Sequence, residues 1–246
     1  MLIEQSAYAN RWRSVSPAAK GLFALGGFIA AFAAQRPEGA AAVGALIVFV
    51  TLAGAGVAPA RFLRVALPPL GFLALGGLSL AVSLDLAGDT LTWRWLPDGW
   101  SPVLRLAARS AAALAALLFL ALTTPMIDLI ALLRRLKIPE VLLEIMVLCY
   151  RMLFVFSEAT RHTRTAQAAR LGYASFRLTL RSLASLAANL TVQIWQRAHA
   201  LHIAAQSRNN DGPLRFLGPE FAHSGRDMAW ATAGALLLIF VAGALP

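Results

Sequence analysis

Residues 40–58 read AAAVGALIVFVTLAGAGVA, nineteen positions without one ionisable side chain. At 1.5 Å rise per residue such a run is about 28 Å long, enough to cross a hydrocarbon core of about 30 Å. Working outward, four more charge-free apolar stretches lie at 21–34, 65–84, 110–124 and 228–245. The first becomes long enough if it begins at Pro17, a favoured first-turn residue, with Ser16 as its N-cap and Lys20 near the headgroups. The fourth starts near Pro102 and carries Arg105 and Arg109 close to its entry, where snorkelling to the interface is expected and a role against a partner subunit is the alternative. The first 20 residues are polar and basic and run into a multispan pattern, so no cleavable leader is expected.

The composition agrees with the spans. Of the 246 residues 59% are hydrophobic and 14% charged, far from the balance of a soluble globule. The net charge of +10 has two readings, nucleic-acid binding or membrane topology, and position decides between them. Basic residues fall in alternate connections: Arg11, Arg13 and Lys20 before the first span, then Arg61 and Arg64 between the second and third. The stretch 125–227 holds 13 of the 22 basic residues. The segment 85–101 instead carries Asp85, Asp89 and Asp98 against Arg94, with Trp93, Trp95 and Trp100 suited to an interfacial belt. The expected topology therefore puts the N-terminus and 125–227 in the cytoplasm and the C-terminus outside. The fold class is an all-α integral membrane protein with about five spans: a membrane domain 1–124 with four of them, a cytoplasmic helical domain 125–227 of long amphipathic helices, and a last span in 228–246.

The spans contain almost no chemistry. A channel or ion-coupled transporter keeps costly charges inside its spans, and these spans lack them. No phosphate-binding G-x-x-x-x-G-K-[ST], H-E-x-x-H or G-x-S-x-G occurs. His199 and His202 share a helix face without further ligands nearby, and the single cysteine, Cys149, is expected as a small buried hydrophobe. No catalytic and no metal site is expected. Gly26, Gly27, Gly54, Gly56, Gly71, Gly76 and Gly77 recur instead; small residues allow close helix packing in lipid, either within the bundle or against a second membrane protein.

The cytoplasmic block reads as three helices. The first, about 125–137, begins with Thr124 as cap and Pro125 at the first helical position, and ends in Arg134, Arg135 and Lys137. The second, about 139–171, places Leu142, Met146, Cys149, Leu153 and Phe156 at 4-3-4-3 spacing. The third, about 176–208, places Leu180, Leu183, Ala187, Leu190 and Ile194 at 3-4-3-4. Such seams are expected to pack helix on helix, with Leu142, Met146, Leu153 and Phe156 facing Leu183 and Leu190. The two long helices end alike, in Ala169-Arg170-Leu171-Gly172 and Ser207-Arg208-Asn209. Each has an arginine in the last turn and Gly or Asn after it to supply a left-handed cap residue. In an antiparallel pair these ends lie at opposite ends of the hairpin, which suits a dimeric cytoplasmic partner with two acidic grooves.

The residues Asn10-Arg11-Trp12, Ser16-Pro17-Ala18-Ala19-Lys20, Thr123 to Leu129, Leu132 to Leu136 with Ile138-Pro139, Tyr150-Arg151 and both arginine ends occur in an order that resembles a known family. The sequence resembles the transmembrane coupling (T) component of energy-coupling factor transporters, a class of ABC importers, and specifically its cobalt-type CbiQ branch. The resemblance implies that Ala169, Arg170 and Gly172, and Ser207, Arg208 and Asn209, dock into a dimer of cytoplasmic CbiO-like ATPases. It further implies that ATP and Mg are bound by those ATPases and cobalt ion by a CbiM-like substrate-binding membrane subunit. A small CbiN-like accessory subunit is a further expected partner, and no cofactor is expected on this chain. Leu171 and Asn209 stand where the family's Ala-Arg-Gly motif commonly has glycine. The expected location is the cell inner membrane.

Nickel and vitamin systems use related coupling proteins. Two other classes compete: a stand-alone secondary transporter, which predicts polar residues at mid-span, and a binder of nucleic acid or anionic lipid, which predicts one continuous cationic face. The bare spans weigh against the first. Charges scattered among carboxylates weigh against the second, and no nucleic-acid partner is expected.

Overall fold

The computed structural model describes residues 2–85, 92–95, 100–209, 221 and 224–244. The chain is helical: α1 (Leu2–Ala9), a 3-10 turn Arg11–Ser14, α2 (Pro17–Ala33), α3 (Pro37–Phe49) continued by a π turn Val50–Gly54, α4 (Pro59–Ala81), α5 (Trp100–Thr123), α6 (Met126–Arg135), α7 (Glu140–Ala169), α8 (Phe176–Ser207) and α9 (Ser224–Ala244). One short antiparallel hairpin follows α4, with β1 (Val82–Asp85) paired to β2 (Thr92–Trp95) so that Val82 faces Trp95. It lies in the connection read as interfacial; Asp89 and Asp98 of that connection lie outside the described residues.

Four helices are long and apolar enough to cross a membrane, Pro37–Gly54, Pro59–Ser79, Val103–Thr123 and Ser224–Ala244. The remaining expected span, α2, has 17 residues, about 25 Å. Packing divides the chain into two compact units, one of Met1–Leu132 with Gly218–Pro246, the other of Leu133–Leu217. The expected division at 124/125 and 227/228 is topological, membrane against cytoplasm; the packing boundary lies inside α6, whose Asp128 and Ile130 are buried.

In the first unit α2 packs against α9, α5 and α3. The core is built mostly of small and branched residues, among them Ala30, Ala34, Ala40, Val43 and Ile47, around the aromatic Phe119. Gly26 shows why. A Cβ placed there would lie 2.4 Å from Cβ of Ala235 in α9, so the two backbones approach as only glycine permits. Gly44 likewise faces the Ala112 backbone and Gly27 the Ile47 side chain, whereas Gly71 and Gly76 of α4 have nothing within reach of an added Cβ. The small residues thus divide between bundle packing and an uncovered α4.

Of the two arginines expected to snorkel, Arg105 is exposed, whereas Arg109, like Lys20, is held by a neighbouring helix. Lys20 is buried, and its Nζ donates to the carbonyl of Thr123 (3.0 Å). Arg109 donates through Nε and Nη2 to the carbonyl of Ala34 (3.1 and 2.7 Å). Lys20 lies fourteen residues before Ala34 and Arg109 fourteen before Thr123. Helices α2 and α5 are therefore antiparallel, and each supplies a cation to the carbonyl end of the other, where the helix dipole is negative. The reason is local: each helix leaves its last carbonyls unsatisfied, and the neighbouring cation reaches them.

Two caps also differ from expectation. Ser16 occupies the N-cap position of α2 but its side chain makes no capping bond; its backbone N–H donates to Asp227 Oδ2 (3.1 Å). Thr124 does not cap α6, which starts at Met126, and Pro125 lies just before the helix with its carbonyl accepting from Asp128 and Leu129.

The second unit is built on α7 and α8. Ser175 caps α8, its Oγ accepting from the Leu178 N–H (3.3 Å), and Arg134 pairs with Glu140 (3.1 Å) where α6 gives way to α7. The expected apolar seam is not buried within the chain. Leu142 and Leu153 are 50% and 60% exposed, Leu183 is exposed, and Met146, Phe156 and Leu190 are only partly covered. The buried leucines are instead Leu143 and Leu186, each one position or a turn off the expected stripe. Cys149, expected to be buried, is exposed on the same uncovered face. The periodicity identified an apolar stripe correctly; it carried no information on which body covers it.

Candidate docking site

The two arginine ends have the same backbone geometry. Arg170 is the C-cap of α7 (φ −97, ψ 19) and Arg208 the C-cap of α8 (φ −97, ψ 9). Each is followed by a residue in the left-handed region, Leu171 (φ 57) and Asn209 (φ 49). The left-handed residue of the first end is thus Leu171 and not Gly172. At that end the Leu171 N–H donates to the carbonyl of Ala168 (3.0 Å) and the Gly172 N–H to that of Gln167 (2.8 Å), the paired bonds of a Schellman motif. At the second, the Asn209 N–H donates to the carbonyl of Gln206 (3.0 Å). Asparagine tolerates this conformation; leucine is strained in it.

Gly172 is required for a different reason. A Cβ there would lie 2.7 Å from Ser182 Oγ and 2.8 Å from the carbonyl oxygen of Gln167. Around it the turn is stitched to α8. Gln167 Nε2 donates to the carbonyl of Ser182 (3.0 Å), the Tyr173 hydroxyl donates to Gln167 Oε1 (2.7 Å), and Ser182 Oγ donates to the carbonyl of Gly172 (2.9 Å). Sequence reasoning missed Gln167, Tyr173 and Ser182, because their bonds join residues up to fifteen apart with no periodic signal.

Both arginines are exposed, as are Ala169, Ser207 and Asn209. Among the described residues neither guanidinium has a hydrogen-bond or ion-pair partner, whereas Arg13 and Arg134 do. Charge presented this way, on a fixed backbone and without an internal partner, suits charge-assisted and bidentate bonds to a carboxylate on another molecule. Among the described residues no group of three or more His, Cys, Asp or Glu is placed to hold a metal ion.

The sequence profile of CbiQ, described as cobalt transport protein, matches residues 9–216, which include α2 to α5 and both arginine ends. The chain belongs to the CbiQ family. It is a multi-pass membrane component of cobalt transport. Cobalt transport protein CbiQ of Rhodobacter capsulatus is 39% identical over 223 residues, 90% of this chain and 89% of the relative. The CbiQ of Salmonella typhimurium is 31% identical over 209 residues, 79% of this chain and 90% of the relative. A fused CbiMQ cobalt transport protein of Methanocorpusculum labreanum is 28% identical over 220 residues, 86% of this chain but 37% of that protein. The chain is therefore similar over most of its length to stand-alone relatives and to one part of a fused one.

Proposed function

We propose that this protein is the transmembrane coupling subunit of an energy-coupling factor importer for cobalt ion. It passes ATP-driven motion of a cytoplasmic CbiO-like ATPase dimer to a CbiM-like substrate-binding membrane subunit, with a small CbiN-like subunit as a further partner. The observation that carries this reading is the pair of exposed guanidiniums, Arg170 and Arg208, without a partner among the described residues, on matching helix ends. The chain itself is non-catalytic: ATP and Mg belong to the ATPases, and the cobalt ion is cargo held by the substrate-binding subunit. The N-terminus and the α6–α8 region are cytoplasmic and the C-terminus is outside, following the distribution of basic residues. The CbiM-like subunit packs against α4, whose Gly71 and Gly76 and whose outward Leu67, Phe72 and Leu75 are left uncovered by the bundle. The fused CbiMQ relative supports such a neighbour.

The test is charge reversal at both ends. Arg170→Glu combined with Arg208→Glu abolishes co-purification of the ATPase from membranes while the chain still inserts. Losing one partner of a buried charge pair costs about 2–5 kcal/mol, so each single change weakens assembly and the double change removes it. Intact complex from the double variant would overturn the docking role.

A further inference from the structure

Where α2 begins and α5 ends, the membrane unit buries polar side chains that helix packing in lipid does not require. Asn10, Ser16, Lys20, Thr124 and Asp128 are each more than nine-tenths buried. Cross-links draw them together. Asn10 Nδ2 donates to the carbonyls of Thr123 (3.1 Å) and Ala7 (2.6 Å), and Lys20 Nζ donates to the same Thr123 carbonyl. Arg13 pairs with Asp128 Oδ2, and the Ser16 N–H donates to Asp227 Oδ2. Within this cluster four buried oxygens have no hydrogen-bond partner among the described residues: Asn10 Oδ1, Ser16 Oγ, Thr124 Oγ1 and Asp128 Oδ1. Thr124 adjoins Thr123, Asp128 lies in the following turn, and Ser16 is one turn before Lys20.

We infer that these four oxygens bind ordered water, making the α5–α6 corner an internal hydration site. The donor set fits that occupant. Two atoms, the amide and carboxylate oxygens, only accept, while the two hydroxyls both donate and accept, and a buried water makes two to four such bonds. The charges favour water over a cation, because Arg13 and Lys20 already balance Asp128 and Asp227. Bridging water satisfies the second oxygen of Asp128 and links the segment Asn10–Lys20 to the first turn of α6. The inference stands apart from the coupling role.

The experiment uses the full chain in lipid nanodiscs. Ser16→Ala and Thr124→Val keep side-chain shape and delete a hydroxyl. If the hydroxyls hold water, each variant melts about 3 °C lower, because the bridged acceptors lose a donor. If the hydroxyls are dry, deleting a buried unpaired group leaves the melting temperature unchanged or raises it, which overturns the inference. A high-resolution structure of the unaltered protein checks the same point without substitution: density within about 3 Å of at least two of the four oxygens is expected, and its absence overturns the site. Melting temperatures in sodium, potassium and choline chloride at equal ionic strength are expected to agree. A dependence on the cation would assign the site to a monovalent ion and overturn water.

Discussion

The membrane unit and the Leu133–Leu217 unit use the same helical material differently. In the first, Ile47, Phe119 and Leu122 are fully buried and glycines bring backbones into contact. In the second, Leu143 and Leu186 are the buried large hydrophobics among the described residues, while Phe176 and Trp195 are 86% and 77% exposed. The spans also expose apolar side chains such as Phe240, which suits a surface that faces lipid. The difference teaches that the bundle is held by its own packing. The long helices are held by their turns and caps, and their apolar stripe is left for neighbours to cover.

Three substitutions press on that contrast. The largest effect is expected at Gly26→Val, because its Cβ has no room against Ala235 and the α2–α9 contact must open. The expected cost is about 3 kcal/mol, read as a lower melting temperature of the purified protein. A melting temperature unchanged by Gly26→Val would refute self-contained packing of the bundle. Next comes Gly172→Ala, where the added methyl meets Ser182 Oγ and the Gln167 carbonyl. About 1–2 kcal/mol is expected, confined to the hairpin. Hydrogen exchange should accelerate over 167–183 and stay unchanged in α2 and α9; acceleration in both units would show that they unfold together. The smallest is Leu171→Gly, which relieves a left-handed leucine that is exposed and so loses little packing. A gain of about 1 kcal/mol is expected in the stability of the hairpin, with ATPase co-purification unchanged.

Much of the fold was legible in advance. Charge-free runs, proline starts and basic connections located the spans and the long helices to within a few residues, because hydrophobicity and capping act over short stretches of chain. The arginine ends were legible for the same reason: a cap is a local event. Leu171 was not, since a leucine in the left-handed region contradicts its own preference and is held there by the Gln167, Ser182 and Tyr173 bonds around it. Arg109 was misjudged because a cation near a span end looks the same in sequence whether it reaches water or a neighbouring helix's carbonyl.

By itself, then, the sequence determined which segments are helical, which of them are apolar enough for a bilayer, and where Arg170 and Arg208 stand on their helices. These follow from propensity, periodicity and charge along the chain. Only the tertiary structure decided that Lys20 and Arg109 clamp α2 to α5, that Asp128 is buried beside Arg13, and that the stripe through Leu142 and Leu183 is open. Those outcomes depend on which helix is neighbour to which, and that is settled by three-dimensional packing between residues far apart in the chain, 115 positions for Arg13 and Asp128.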